Sequence, residues 1–222
     1  MLAFNVIEDR AVARLGSLEA LQGLMPAVRS ESELIALPDR YFLSVMTRRI
    51  FQAGMRHSVV NDRWPVFEEW FWSFEPEKLM LLSEEQLEKA MQNPALIRHW
   101  GKLRTIPTNS ARMLDISREN DGFGRFLASW PDADLFGLWA YLKKHFERMG
   151  GHSGARFLRL AGRDTFQLTD DVITALIASD AIDDKPTRKA DRERVNAAFM
   201  EWQAQSGRPL AHISRILSLT VN

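Results

Sequence analysis

The residues best equipped for chemistry lie between Glu147 and Val172. Gly150-Gly151-His152-Ser153-Gly154 makes a glycine-rich turn between two helical stretches, and a second break at Gly162 leads to the acidic pair Asp170-Asp171. A turn this tight needs positive φ, which glycine reaches without a Cβ penalty, and it lets the main chain approach a ligand closely. The helix after the turn is expected to begin near His152-Ser153, leaving its first amides without internal acceptors. Those amides and the positive end of the helix dipole form an anion site. Lys143, Lys144, Arg148, Arg156, Arg159 and Arg163 stand around it, opposed only by Glu147 and Asp164. This is the layout of a helix-hairpin-helix gripping a nucleic-acid backbone, with carboxylates just beyond it, and it points to DNA as the partner. A plain helix corner with a solvated basic face has the same spacing, since Gly-Gly turns are common punctuation.

The rest of the chain must position that segment. Its 222 residues suit one large domain or two interlocked helical lobes. A hydrophobic share of 45% with 10% aromatics is ample for a core. Lysine plus arginine number 29 and so do aspartate plus glutamate, which argues against a histone-like binder. A local basic face is still allowed, because steering depends on where charges sit. Absence of cysteine excludes disulfides and Cys-ligated zinc. No metal site or cofactor is expected. The opening MLAFNVIEDRAVARL carries acids and no long apolar run, so no signal peptide is expected. No stretch approaches the ~20 apolar residues of a membrane span, and a cytoplasmic protein is expected.

Helical periodicity dominates and strand-like alternation is nearly absent, so the fold class is all-α. One or two helices are expected over Ile7 to Leu24, broken near Gly16, and a largely buried one over Asp39 to Gly54. Asn61-Asp62 can cap a helix bearing Trp64, Phe67, Trp70, Phe71, Trp72 and Phe74, whose spacing fits a buried stripe better than a base-stacking platform. Ser83-Glu84-Glu85-Gln86 is a capping box. Pro107 should break or kink the segment from Ala95 to Leu114. Asp132 or Asp134 can cap the first hairpin helix, and Thr169 or Asp170 the helix running to Ala178. Helices over Asp191 to Gln205 and Pro209 to Leu219 complete the chain.

Three stretches in this order resemble a known family: Gln52-Ala53-Gly54, Leu96-Ile97-Arg98-His99-Trp100-Gly101-Lys102-Leu103, and Leu168-Thr169-Asp170-Asp171-Val172. With Phe74-Glu75-Pro76 and Asn109 they are similar to the 3-methyladenine DNA glycosylase I family, within the helix-hairpin-helix DNA glycosylase superfamily. The likeness runs from about Tyr41 to Ala178, inside a single glycosylase-like domain over 1–222 with extra helices in 1–40 and 179–222. The family pattern has glutamate where this chain has Arg49, tryptophan where it has His57, and a zinc site built with cysteines that this chain lacks. Thr169 stands where most of the superfamily carries an aspartate.

The resemblance implies base-excision repair: hydrolysis of the N-glycosidic bond of an alkylated purine such as 3-methyladenine in double-stranded DNA. It implies a base pocket at Arg49, Gln52 and His57, and a phosphate grip at Gly150, Gly151, His152, Ser153, Gly154 and Arg156. Asp170 or Asp171 is the carboxylate available to support positive charge on the sugar, and one of the two can equally serve as a helix cap. Arg49 either hydrogen-bonds a neutral, oxygen-bearing base edge or pairs with a carboxylate. Arg98, His99 and Lys102 are expected on one helix face near the DNA, and Met55 and Arg56 are the candidates for a wedge in the duplex. The competing readings are a DNA-binding module of the same fold without chemistry, and an interaction scaffold using the helices from Asp191 to Leu219.

Overall fold

Start signals written in the sequence set several helix boundaries. Ser83 accepts from the Gln86 amide while the Gln86 side chain accepts from the Ser83 amide, and Ser30 and Glu33 do the same. Each such cap contributes about 1 kcal/mol. The computed structural model describes residues 1–221, and among them there are helices and connections but no strand. In chain order the helices are α1 (Phe4–Leu15), α2 (Leu18–Gln22), α3 (Glu31–Ile35), α4 (Asp39–Gln52), α5 (His57–Trp70), α6 (Pro76–Leu79), α7 (Glu84–Gln92) and α8 (Trp100–Leu103). They continue with α9 (Thr105–Asn120), α10 (Phe123–Ser129), α11 (Leu135–His145), α12 (Ser153–Ala161), α13 (Asp170–Ala178), α14 (Lys189–Ser206) and α15 (Leu210–Thr220). No helix among the described residues is long and apolar enough to cross a membrane.

Four local expectations need correction. Asn61 and Asp62 lie inside α5, which starts five residues earlier than a cap at Asn61 would place it. Pro107 does not break α9, because it sits in the first turn, where its missing amide has no intrahelical acceptor to lose. Residues 97–99 are not helical, so Arg98 shares no helix face with Lys102. Of the aromatic run, Trp64, Phe67, Phe71 and Phe74 are buried, but Trp70 and Trp72 are 41% and 44% exposed.

The described residues form two compact units. One comprises Arg29–Trp130 and Gly137–Arg163 and contains the hairpin. Its axis is α4, which buries ten of its fourteen residues and is therefore enclosed by α5, α9, α10 and α12. Trp64 stacks on Phe67 at 4.9 Å and on Phe74 at 5.4 Å, and each ring removed from water contributes roughly 1.5–3 kcal/mol. Arg163 is buried, with Nε donating to Leu127 O and Nη2 to Trp130 O at 2.9 and 2.7 Å. It is thus a structural brace and not part of the exposed basic face assigned to it by spacing.

In the same unit α10 lies on α3 at Gly124, where a Cβ would stand 2.2 Å from Leu34 O and 3.2 Å from a Phe42 ring carbon. Backbone cannot yield as a side-chain tip can, so Gly124→Ala is expected to destabilise by about 3 kcal/mol. Chemical denaturation checks this, and a change below about 1 kcal/mol would show that the two helices can separate freely.

The other unit comprises Met1–Val28, Pro131–Phe136 and the chain from Asp164 on. Here α15 packs against α1, α13 and α14, around Phe166 stacked on Phe199 at 4.2 Å. Asp164 accepts from the amides of Leu210 and Ala211 at 2.9 and 2.8 Å, closing the start of α15. Two long-range bonds seat the amino-terminal helix: Phe4 N to Gln205 Oε1 at 2.8 Å and Trp202 Nε1 to Leu2 O at 3.0 Å.

Candidate functional site

The hairpin consists of α11, the turn 146–152 and α12. Gly151 takes φ +58° and Gly150 O accepts from Ser153 N at 3.1 Å, which folds the chain back sharply. Gly151 and His152 are exposed, and the amides of Gly151, His152 and Gly154 find no protein acceptor among the described residues. Free amides stand at the head of a nine-residue helix, a chemistry that suits an anion. Lys143, Lys144 and Arg148 are exposed beside them.

Two contacts with the α8–α9 segment hold this turn. Asn109, 1% exposed, accepts from Glu147 N at 2.8 Å and donates Nδ2 to Glu147 O at 3.3 Å. Arg148, in the left-handed region at φ +59°, donates Nε to Gly101 O at 2.7 Å. Asn109→Ala leaves both polar groups of Glu147 unpaired. It is expected to cost about 2 kcal/mol, or roughly 4–8 °C in Tm, with weaker binding at the turn. A thermal melt with unchanged Tm would show that Asn109 does not hold it.

The segment Gln52-Ala53-Gly54 is held by a lysine. Lys102, 4% exposed, donates Nζ to Phe51 O at 2.9 Å and Ala53 O at 2.7 Å, at the carbonyl end of α4. The partial negative charge of that helix end suits a cation. Burial, and then Arg148 and Arg49, push the Lys102 pKa down. Gln52 is buried, with Nε2 donating to Asn61 Oδ1 at 3.0 Å. Met55 and Arg56 lie in the loop after Gly54, and His57 is the first, exposed residue of α5.

Arg49 is 4% exposed, and its Nε and Nη1 find no hydrogen-bond partner. Burial, and then Arg156, push its pKa down. No carboxylate pairs with it among the described residues, so of the two roles left open for Arg49, the carboxylate-paired one is not what the structure has.

Asp170 and Asp171 lie in the other unit, as the first two residues of α13. Neither caps that helix. Thr169 does, its Oγ1 accepting from Val172 N at 3.3 Å. Both carboxylates are exposed, Asp170 within 3.8 Å of Lys185 Nζ, and both sit where negative charge complements the helix dipole. With the cap supplied by Thr169, neither aspartate is tied to a structural bond at that terminus.

Sequence spacing identified the turn and the motif segments but not the inward roles of Lys102 and Asn109 or the bond from Arg148 to Gly101. Lys102 and Asn109 stand among other polar and basic residues, so nothing in their local sequence separates them from surface residues.

A model of the methyladenine glycosylase family matches residues 36–144. DNA-3-methyladenine glycosylase of Haemophilus influenzae is 30% identical over 79 residues, 36% of this chain and 43% of that protein. DNA-3-methyladenine glycosylase 1 of Escherichia coli is 29% identical over 79 residues, 36% of this chain and 42% of that protein. The matched segment therefore spans less than half the length of these curated relatives. A crystal structure of 3-methyladenine DNA glycosylase I superposes with a TM-score of 0.52 at 20% identity, covering 65% of this chain and 87% of that one. The Staphylococcus aureus 3-methyladenine DNA glycosylase I gives 0.53 at 19% identity, covering 65% and 85%. At these identities the structures establish a shared fold.

Proposed function

We propose that the chain is a divergent member of the methyladenine glycosylase family, whose model matches residues 36–144, and that it releases an alkylated base from double-stranded DNA in base-excision repair. The observation that carries this reading is the hairpin turn, whose free amides are held in place by two contacts with the segment that carries Lys102, one to Asn109 and one from Arg148 to Gly101.

In the proposed reaction free amides within the turn Gly150 to Gly154 hold a backbone phosphate, with Arg156 supplying charge. One nucleotide leaves the stack and its base enters a pocket at Arg49, Gln52 and His57. The C1′–N bond breaks with its electron pair going to the base, and Asp170 or Asp171 offsets the positive charge that develops on the sugar. Water bonds to C1′ and its proton ends on the departing base. The products are the free base and an abasic site, and no cofactor is consumed. The hairpin turn holds no lysine to form a covalent adduct with the sugar, so the reaction stops at hydrolysis.

The test is base release from duplexes carrying defined alkylated bases, 3-methyladenine among them, with the wild-type chain and the Asp170→Asn/Asp171→Asn double variant. Release is expected from the wild-type chain, reduced at least about hundredfold in the variant. No release of any base, with salt-sensitive duplex binding intact, would assign the chain to DNA binding without chemistry.

A further inference from the structure

Four cations meet at one end of α4. Lys102 is bound to the carbonyls of Phe51 and Ala53, and Arg148 to the carbonyl of Gly101 beside it. Arg49 lies in the last turn of α4, and α12, which carries Arg156, packs along the same helix. None of the four has a carboxylate partner among the described residues. Of the four, Arg49 and Lys102 are buried, Arg156 is half-buried and Arg148 is exposed. Buried charged side chains are ordinarily paired, yet Arg49 keeps Nε and Nη1 buried without acceptors. Those nitrogens serve different edges of the guanidinium, so one acceptor atom cannot satisfy both. The arrangement calls for a ligand that brings acceptors and no positive charge.

We infer that the base this chain takes is an uncharged alkylated base presenting ring-nitrogen or carbonyl acceptors, and that Arg49 disfavours purines methylated at N3 or N7, which are cationic while attached to the sugar. The inference rests on the proposed glycosylase reading, with Arg49 beside the extruded base, and narrows its substrate. It also fits the chemistry of departure. A cationic base leaves as a neutral molecule and needs little help. An uncharged base accumulates negative charge as the C1′–N electron pair moves onto it, and a guanidinium donating to its edge stabilises that charge. The residue that repels one class of lesion thus assists release of the other.

The experiment measures equilibrium binding to matched duplexes holding one 2′-fluorinated, uncleavable nucleotide, carrying either 1,N6-ethenoadenine (neutral) or 7-methylguanine (cationic). Release from the cleavable counterparts is followed in parallel, for the wild-type chain and Arg49→Gln. The wild-type chain is expected to bind and process the neutral lesion at least about tenfold better, and Arg49→Gln to narrow that preference to within about threefold by gaining on the cationic one. Equal or reversed preference in the wild-type chain overturns the inference while any base release keeps the glycosylase reading, and this comparison needs no variant to fold. A preference that survives in folded Arg49→Gln overturns the role of Arg49. Binding of neither lesion above undamaged duplex, with no base released, removes the glycosylase reading itself and the inference with it.

Discussion

Gly151→Asp is expected to lower duplex affinity by about hundredfold or more, equivalent to roughly 3 kcal/mol, while the chain stays folded. Gly151 is exposed at φ +58°, and a Cβ there would meet nothing within 4 Å. Aspartate tolerates the left-handed region better than most residues, so the backbone penalty is about 1 kcal/mol. Its carboxylate, however, sits where free amides and neighbouring cations are proposed to receive a phosphate. Gly151→Asn has the same shape without the charge and should retain most of the affinity. Fluorescence anisotropy across a salt series checks both variants, because lost phosphate contacts also flatten the dependence on salt. A folded aspartate variant that binds like the wild-type chain would remove the hairpin from the proposed interface.

Lys102→Met is expected to destabilise by about 3 kcal/mol, because hydrogen bonds to charged groups are worth roughly 1.5–3 kcal/mol each and two buried carbonyls lose their donor. Relief of repulsion with Arg148 and Arg49 holds the loss below the sum of the two bonds. Loop 53–56 should loosen with it, so base release should fall more than the melt alone explains. A pH signature separates this from a simple packing defect. The Lys102 pKa is lowered in the folded chain from the 10.5 of an unburied lysine, so the folded state sheds that proton first. Between the lowered value and 10.5 the unfolded chain binds more protons, and the contribution of this group to stability rises with pH. That alkaline rise should be absent in Lys102→Met. Denaturation midpoints that differ by a constant amount across this range would exclude the titration.

What could be read from the residues in order was mostly local. The Ser83 box, the Thr169 cap and the glycine turn at 150–154 each involve partners within a few positions, so composition and spacing suffice to find them. Long-range partnerships were not legible. Lys102 reaches back to residues 51 and 53, Asn109 reaches forward to 147, and Arg163 returns to 127 and 130. Each places a polar side chain inward through an acceptor that only folding brings near. Arg163 was misassigned for that reason: among neighbouring basic residues nothing marks the one that turns toward backbone carbonyls. Pro107 shows the opposite failure, where a strong local rule applies but the helix begins two residues before the proline.

The division of the chain into interleaved segments also dictates an order of events during synthesis. The hairpin unit draws on nothing beyond Arg163, so it can close while the remaining chain is still being made. The amino-terminal helix cannot. The partners that seat it, Trp202 and Gln205, lie 200 and 201 positions downstream. At about 5–20 residues per second, Phe4, Ile7 and Ala11 wait some ten seconds or longer with their apolar faces uncovered. Of all the helices described, the first to emerge is therefore among the last to be seated, and its exposed face is the surface on which a nascent chain of this protein is most open to chaperones or to aggregation.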